Sequence, residues 1–386
     1  MPYWRPQFYE STAQQRSVDP TVLQNAQLTA SLLLAKSHKL APVLSLRHLA
    51  HCSGADYGYL RAVVERSCDN AYRFFKIRKR CVEGEPVRYR LICVPSPHLM
   101  QTQRWIVEHI LAHLTPHECS VAYTKGSTLR DAASRHCGAR WLIKLDLLRF
   151  FESINEISAY RVFHAAGYQK LVSFELARLC TRLRSSRPTS QSDKWRTWPG
   201  RALTIRKYFS EEIGHLPQGA PTSPMLANMV SIGLDQDMQA LSDDFGLRYS
   251  RYADDLTFST DSKSFTRSDA SRLIGLAYGA FGRYGFSPNK TKTTLVPPGA
   301  RKLVLGVLVD GDVPRLTREF KSLLRQHLYY LEKAGVGPAA HARNRGFASV
   351  GGFRNHMFGL LAYSKQIDPA LAQAYRERLE AVAWPI

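Results

Sequence analysis

The spacing of apolar residues predicts helices at the start of the chain and a β-hairpin after them. From position 22 to position 64, leucines recur near helical spacing, with a break at Ser53-Gly54 before a second short helix. Apolar and polar residues then alternate in two stretches, 72–78 and 87–94, on either side of a turn. This alternation is typical of a hairpin. A further helix is predicted from about His98 to His113.

The middle of the chain predicts a buried strand, one core helix and a second hairpin. The stretch 139–151 is almost continuously apolar, as expected of a buried strand, and Asp146 marks that strand's end. Ser223-Pro224 matches an N-cap followed by Pro at the first helical position, and apolar residues continue along one helical face to Met238. Positions 249–260 predict two strands joined by a bend that carries paired acidic residues.

The last section, from about Arg301, is predicted to be mainly helical. Within it, the segment from Thr317 to Gly335 predicts one helix, with Thr317 as N-cap and Gly335 at its end. Its apolar stripe is expected to pack inward and to leave a basic ridge near the surface, formed by Arg318, Lys321 and Arg325. Such a ridge is either a solvated face or a phosphate contact, and the helix pattern alone leaves both open.

Charge favours nucleic acid as the partner. The 386 residues include 53 Lys and Arg against 32 Asp and Glu, and this net charge of +21 suits a ligand rich in phosphates. The seven cysteines are widely spaced without a CxxC pair, which argues against a disulfide framework and a structural zinc site. Apolar stretches fall far short of the about 20 residues of a membrane helix, and the start lacks a signal-peptide core, so we expect a cytoplasmic protein without membrane contact.

Three carboxylates are the strongest candidates for chemistry. Asp146 ends a buried strand, and Asp254 and Asp255 stand together at a hairpin bend. Each also has a plain structural explanation. Asp-Asp is a common turn element, and an Asp that ends an apolar strand is often just the start of a loop. Together they match what nucleotidyl transfer to a primer hydroxyl requires, namely carboxylate oxygens that converge on two Mg²⁺ ions from separate elements. The combination therefore predicts a two-metal site.

Two further clusters predict contact with nucleotide phosphates. The basic hairpin offers four cations for a triphosphate, Lys76, Arg78, Lys79 and Arg90. The segment from Leu216 to Pro224 is rich in turn residues and leads into a helix N-terminus, where anions are favoured. Within it, Gly219 allows the backbone to approach a ligand, and Gln218 offers both a donor and an acceptor.

The motifs around these residues resemble those of bacterial retron-type reverse transcriptases. Three of them occur in the family's order: Lys144-Leu-Asp146 with Phe150-Phe151, Leu216-Pro-Gln-Gly-Ala-Pro-Thr-Ser-Pro224 with Asn228, and Arg251-Tyr-Ala-Asp-Asp-Leu-Thr-Phe-Ser259. Further similar segments are the fingers motifs at 72–90, the catalytic-lysine motif Gly285-Phe-Ser-Pro-Asn-Lys-Thr-Lys292 and the primer grip at Val304-Leu-Gly306. The resemblance covers the chain from about Tyr72 to its C-terminus.

The resemblance implies a magnesium-dependent RNA-directed DNA polymerase, and it assigns roles by position. One of these roles is that of a steric gate, a side chain that excludes a ribose 2′-hydroxyl, and it falls on Phe151. The plain alternative for Phe151 is a core aromatic beside Phe150. The implied roles are two-Mg²⁺ ligation for Asp146, Asp254 and Asp255, contact with the incoming nucleotide for Gln218, proton donation to pyrophosphate for Lys290, and exclusion of a ribose 2′-hydroxyl for Phe151.

The implied fold is α+β, a right-hand polymerase with fingers, palm and helical thumb. We expect an N-terminal helical extension over residues 1–70, fingers and palm over 71–300, and an RNA-binding helical thumb over 301–386. No chain is left for an RNase H or endonuclease domain, so removal of RNA from the RNA–DNA hybrid is expected to fall to another protein.

Two departures from the retron pattern leave the product open. Val304-Leu305-Gly306 stands where most retron enzymes have Val-Thr-Gly, and no Asn-Ala-x-x-His element occurs between Asp146 and Gln218. The expected partners are a structured noncoding RNA, deoxynucleoside triphosphates, and an effector or toxin encoded nearby in an antiphage defence system. The alternatives are a defence-associated reverse transcriptase with another priming mode or untemplated synthesis, and an inert RNA-binding subunit.

Overall fold

Two compact units make up the described chain, each assembled from separate segments. The computed structural model describes residues 4–78, 89–184, 195–197, 205–333 and 335–385. The first unit comprises Met1–Lys125, Leu147–Asp237 and Gly279–Pro288, and the second comprises Gly126–Asp146, Met238–Tyr278 and Asn289–Ile386. The functional division at residues 70 and 300 stays a prediction.

Helices and antiparallel strands follow one another in runs along the chain, as expected of an α+β fold. The helices are α1 (Pro6–Gln15), α2 (Pro20–Lys36), α3 (Leu46–Ser53), α4 (Tyr57–Val64), α5 (Pro97–His109), α6 (Leu129–Ser134), α7 (Phe150–Ser153), α8 (Glu156–Ala166), α9 (Lys170–Cys180), α10 (Ser223–Val230), α11 (Ile232–Asp244), α12 (Arg267–Arg283), α13 (Arg318–Glu332), α14 (Gly337–Asn344), α15 (Val350–Lys365) and α16 (Pro369–Glu380). The strands are β1 (Tyr72–Arg78), β2 (Tyr89–Pro95), β3 (Trp141–Asp146), β4 (Arg248–Tyr252), β5 (Asp255–Thr260), β6 (Thr294–Val296), β7 (Leu303–Val304), β8 (Val307–Leu308) and β9 (Arg315–Leu316). No helix in these described ranges is long and apolar enough to span a bilayer.

The helices predicted between about positions 22 and 64 are confirmed as α2 to α4, whereas the predicted core helix is corrected. In place of one helix from Ser223, the chain forms α10 and α11, which are divided at Ser231. Thr222 rather than Ser223 is the N-cap of α10, and its side chain makes no capping hydrogen bond. Because the N–H groups of the first turn have no intrahelical partner anyway, Pro224 is accommodated equally well one position further into the helix.

The predicted hairpin in the first unit is confirmed, since β1 and β2 pair antiparallel. Residues directly opposite each other in such a pair share a face of the sheet, and neighbours in sequence alternate between faces. Lys76 and Arg78 therefore lie on one face, and Arg90, which pairs with Ile77, lies on the other. Lys79 and the predicted turn lie outside the described residues.

An antiparallel sheet with the strand order β4-β5-β3-β6 lies in the second unit. Strand β3 is buried and ends at Asp146, as predicted. Arg149 adopts a left-handed conformation with φ 51°, and Phe150 then begins α7. Phe150 and Phe151 therefore belong to α7 rather than to the strand, and Phe150 is buried from that helix.

The last section combines three short strands with the predicted helices. Strands β7 to β9 pair antiparallel before α13 begins. Leu305 and Gly306 form the loop between β7 and β8 with φ 51° and 84°, a conformation that favours glycine and leaves Leu305 strained. Thr317 caps α13 as predicted by accepting from the Phe320 N–H at 3.1 Å. The helix ends at Glu332, earlier than the predicted Gly335.

Candidate active site

Strand pairing brings two of the three candidate carboxylates together. Asp146 is the last residue of β3, Asp255 is the first residue of β5, and the two lie directly opposite each other. Side chains in this relation have Cβ atoms about 4.5–5.5 Å apart. The apolar interior of the strands fixes this register, because a slip by one residue would turn Leu145 and Leu256 away from the core in which both are buried.

Asp254 lies in the tight turn that joins β4 to β5. Tyr252 pairs with Asp255, so Ala253 and Asp254 form a two-residue loop, which confirms the predicted hairpin. Ala253 has φ 56°, a left-handed conformation that costs a residue with a side chain roughly 1–2 kcal/mol. The fully buried Arg251 donates from Nη1 to the Ala253 carbonyl oxygen at 3.1 Å and so braces the strained turn.

One short segment of the second unit holds the Asp146 carboxylate. Lys292 Nζ donates to Oδ2 at 2.5 Å, and Asn289 Nδ2 donates to Oδ1 at 2.7 Å. The backbone N–H of Asn289 also donates to the Asp146 carbonyl oxygen at 2.8 Å. Lys290, the predicted proton donor, is exposed and is not part of this group. The only signal in the sequence was the presence of two lysines in Asn289-Lys-Thr-Lys292, which left the choice between them undecided.

Burial and charge act together on Asp255 and Lys292. Burial, followed by the neighbouring Asp254 carboxylate, raises the pKa of Asp255 to about 6, and Asp146 adds to this effect against the opposing influence of Lys144. Burial disfavours the charged form of Lys292, but the hydrogen bond to Asp146 and the charge of that carboxylate outweigh it and raise the pKa of Lys292. Lys292 is therefore a protonated cation beside carboxylates that repel one another.

The three carboxylates have the donor chemistry of a divalent-cation site. An ionised Asp offers only acceptor oxygens, which are the ligands that Mg²⁺ prefers, and a cation near Asp255 would offset the repulsion from Asp254 and Asp146. Across the described ranges, no three Asp, Glu, His or Cys side chains converge as a complete set of metal ligands. Both Asp146 oxygens are engaged by Asn289 and Lys292. Each oxygen keeps a second lone pair, so Asp146 is able to bind a cation while it retains these partners.

The predicted steric gate, Phe151, lies on α7 in the first unit. Its neighbour Phe150 is buried and packs against Phe286, with ring centroids 5.5 Å apart. The Phe151 ring is half-buried and lies 5.5 Å from the Phe150 ring. The core position is thus taken by Phe150, which leaves part of the Phe151 ring accessible.

Gln218 and Gly219, also in the first unit, lie against strand β2. The Gln218 carbonyl oxygen accepts from the Cys93 N–H at 2.7 Å. Gly219 has φ 114°, and a Cβ at this position would meet the Ile92 side chain at 2.7 Å and the Cys93 carbonyl oxygen at 3.1 Å. The close backbone approach expected at Gly219 is therefore made to a strand of the protein itself, so this glycine has a structural reason of its own.

The predicted phosphate contacts are mostly exposed side chains. Lys76, Arg78 and Arg90 are exposed on the hairpin, and Arg318 and Arg325 are exposed on α13. Lys321 differs, because its Nζ forms an ion pair with Asp368 Oδ2 at 3.1 Å. The basic ridge of α13 therefore offers two exposed guanidinium groups and one ammonium that already has an acidic partner.

Comparison with known proteins gives a consistent picture for most of the chain. Residues 77–309 match the family model described as "Reverse transcriptase (RNA-dependent DNA polymerase)". The Retron Ec83 reverse transcriptase of Escherichia coli is 30% identical over 332 residues, which cover 80% of this chain and 86% of that protein.

Two further relatives bear the same kind of name. The Retron Ec86 reverse transcriptase of Escherichia coli is 27% identical over 277 residues, covering 72% of this chain and 75% of that protein. The Retron Mx162 reverse transcriptase of Myxococcus xanthus is 28% identical over 359 residues, covering 89% of this chain and 68% of that protein. The chain therefore belongs to the reverse transcriptase family of right-hand polymerases, which are RNA-directed DNA polymerases, and within that family to the retron reverse transcriptases.

Proposed function

We propose that this protein copies a structured noncoding RNA into DNA, with Asp146, Asp254 and Asp255 as the ligands of two Mg²⁺ ions. The observation that supports the proposal most strongly is the direct opposition of Asp146 and Asp255, with Asp254 in the adjoining turn. When bound, such ions activate a primer hydroxyl and offset the charge on a leaving pyrophosphate. The two strands and the braced turn hold the carboxylates that bind them.

Lys292, rather than Lys290, is the proton donor to pyrophosphate in this proposal. Its ammonium contacts Asp146 directly, and its raised pKa keeps it protonated at neutral pH. A general acid must stand within hydrogen-bond reach of the reacting groups, and among the two lysines of this segment Lys292 is the one that touches a proposed metal ligand. Asn289 acts as a positioning residue, because it binds both the carboxylate and the backbone of Asp146.

The incoming nucleotide is proposed to meet the hairpin cations and Gln218. Lys76 and Arg78 share one face of the hairpin, so both are able to reach a single triphosphate, with Lys79 following them in sequence. Arg90 points to the opposite face and serves a separate contact. The pairing register thus leaves Lys76 and Arg78 as the cations of the described hairpin that are able to bind one triphosphate together.

Phe151→Val is expected to raise the ratio of ribonucleotide to deoxyribonucleotide incorporation by roughly 10- to 100-fold, because the smaller side chain leaves room for a 2′-hydroxyl. Single-nucleotide insertion by the purified protein measures this ratio. Phe151→Tyr keeps the ring and is the matched control, with a ratio near that of the wild type. An unchanged ratio in Phe151→Val would make Phe151 a packing residue beside Phe150.

Replacing Arg318 and Arg325 with alanine is expected to weaken binding of the cognate RNA and to lower its salt slope by about 1.5 units, because two phosphate contacts are lost. Replacing Lys321 adds less, since that ammonium is paired with Asp368. Filter binding across a salt series provides the measurement. The matched control is Lys263→Ala with Arg267→Ala, two exposed cations of the same unit. Equal slopes for the two double variants would move the RNA contact away from α13.

Nucleic acids that copurify with the protein test the proposed partner. The proposal expects one structured RNA together with DNA complementary to part of it, and replacement of Asp254 and Asp255 is expected to remove the DNA and leave the RNA bound. Sequencing of the two fractions shows whether the DNA starts at an RNA nucleotide, as in the branched retron product, or from a separate primer. DNA unrelated in sequence to the bound RNA would contradict templated copying and favour untemplated synthesis.

A further inference from the structure

A pocket of about 630 Å³ lies within the first compact unit and contains none of the residues given a role above. It is formed by the end of α3, by the paired strands β1 and β2, and by one side of α5. This volume lies in the range of about 300–1,000 Å³ that is usual for small-ligand sites. The pocket is therefore large enough to hold a nucleotide.

One wall of the pocket is apolar and fixed. It includes Val94, Pro95, Met100 and Trp105. Trp105 is only 8% exposed, and its ring stacks on the His109 ring with centroids 4.6 Å apart. Because packing already immobilises this wall, a flat apolar ligand binds there without a large ordering cost. A nucleobase is such a ligand.

Two arginines stand at this wall. Arg73, on β1, and Arg104, on α5, both line the pocket and are exposed. Neither guanidinium forms an ion pair with another residue in the described stretches of chain. Glu108 also lines the pocket, so the lining keeps an excess of one positive charge. Unpaired guanidinium groups beside an apolar wall match a ligand that joins a phosphate to a flat base.

The same surface continues along the hairpin beyond the pocket. Arg73 pairs with Val94, so both side chains lie on the face that lines the pocket. The next residues of β1 on that face are Phe75 and Ile77, which are 49% and 56% exposed. An exposed aromatic ring next to a cation, here Phe75 after Arg73, is a feature of surfaces that bind single-stranded nucleic acid. The pocket therefore opens onto a track that is longer than one nucleotide.

We propose that this pocket binds an unpaired nucleotide of the RNA partner. The base lies against the Trp105 wall, the phosphates meet Arg73 and Arg104, and the neighbouring base stacks on Phe75. The continuation along β1 favours a strand over a free nucleotide, and the net charge of +21 favours a polyanion. This inference rests on the proposed RNA partner and adds a second contact, separate from the exposed arginines of α13.

Removal of the two guanidinium groups tests the phosphate contacts. Arg73→Ala with Arg104→Ala is expected to weaken binding of a short uridine oligoribonucleotide about 10-fold. The salt slope of this binding is expected to fall by about 1.4, because each of the two lost phosphate contacts of a single strand contributes about 0.7. Arg161→Ala with Lys170→Ala removes two exposed cations of the same unit outside the pocket and is the matched control. A fully paired RNA hairpin serves as the second probe and is expected to bind both double variants alike.

A blocking variant tests entry of the base. Met100→Trp fills the pocket without changing its charge. Because the contact of one base is lost, this variant is expected to weaken binding of the oligonucleotide about 5- to 10-fold. The salt slope is expected to stay unchanged, because no phosphate contact is removed. Thermal unfolding of each variant checks that the fold is retained. Wild-type affinity for the oligonucleotide in both pocket variants would overturn the inference.

Two further outcomes separate this inference from its alternatives. Binding of adenosine monophosphate that both pocket variants abolish, with unchanged RNA affinity, would make the pocket a site for free nucleotides and overturn the RNA assignment. DNA synthesis on a primed homopolymer is measured on the same preparations. Absence of synthesis in the wild type contradicts the proposed function, whereas full synthesis with unchanged RNA affinity in the variants contradicts only the pocket.

Discussion

Replacing Asp254 and Asp255 together with alanine is expected to reduce DNA synthesis at least about 1,000-fold, which corresponds to about 4 kcal/mol of lost transition-state stabilisation. The reason is the loss of the oxygens that would bind the metal ions, and the packing of the sheet stays intact. Asp254 lies in a turn and Asp255 at a strand end, so neither carboxylate fills the apolar core. Primer extension with purified protein on an RNA template measures the loss.

The chain offers a matched control for this double variant. Asp243 and Asp244 form a second pair of adjacent aspartates in the same unit, exposed at the end of α11. Their replacement with alanine removes the same charge and is expected to leave the rate of synthesis near that of the wild type. If the two double variants lose synthesis equally, net charge rather than metal ligation accounts for the effect.

Lys292→Met is expected to lower the rate of nucleotide incorporation about 100-fold, because a general acid contributes about 10²–10⁴-fold. Lys290→Met is the matched control two positions away and is expected to change little, since Lys290 is exposed and lies outside the Asp146 group. Single-turnover incorporation at saturating nucleotide separates this effect on the chemical step from an effect on binding. The Lys292 side chain is 57% exposed, so its loss is expected to cost little stability.

A conservative substitution distinguishes proton donation from positioning. Lys292→Arg keeps a cation beside Asp146, but a guanidinium does not release its proton near neutral pH. Slow incorporation in both Lys292→Arg and Lys292→Met is the result expected of a proton donor. Wild-type rates in Lys292→Arg would contradict that role and leave Lys292 as a residue that holds Asp146. Equal losses in Lys290→Met and Lys292→Met would contradict the choice between the two lysines.

Local pattern predicted the elements of the site, and long-range pairing decided its geometry. The apolar run before Asp146 and the acidic pair at a bend were visible in the sequence, because buried strands and tight turns have strong compositional signatures. Their opposition across β3 and β5 depends on pairing between distant segments, which no local pattern specifies. The motif resemblance supplied that connection in the sequence analysis.

Some details of the site and the fold are not specified by local pattern. Lys290 and Lys292 are equivalent as residue types, and only the backbone of the 3₁₀ turn decides which side chain faces Asp146. Gly219 is predicted to approach a ligand, and its lack of a side chain is also required by its contact with β2, which the sequence does not reveal. One helix was predicted where α10 and α11 form, because the apolar spacing continues across the break at Ser231 and a lone Gly233 is tolerated within a helix.

The most direct test of the account is templated synthesis by the purified protein. A labelled DNA primer annealed to an RNA template of defined sequence is incubated with one deoxynucleoside triphosphate at a time and Mg²⁺, with chelator added in a parallel reaction. The account predicts incorporation of only the nucleotide complementary to the next template base, full-length DNA when all four are present, and no product with chelator or with Asp254→Ala and Asp255→Ala. Incorporation that ignores the template base, or that persists in the double variant, would contradict it.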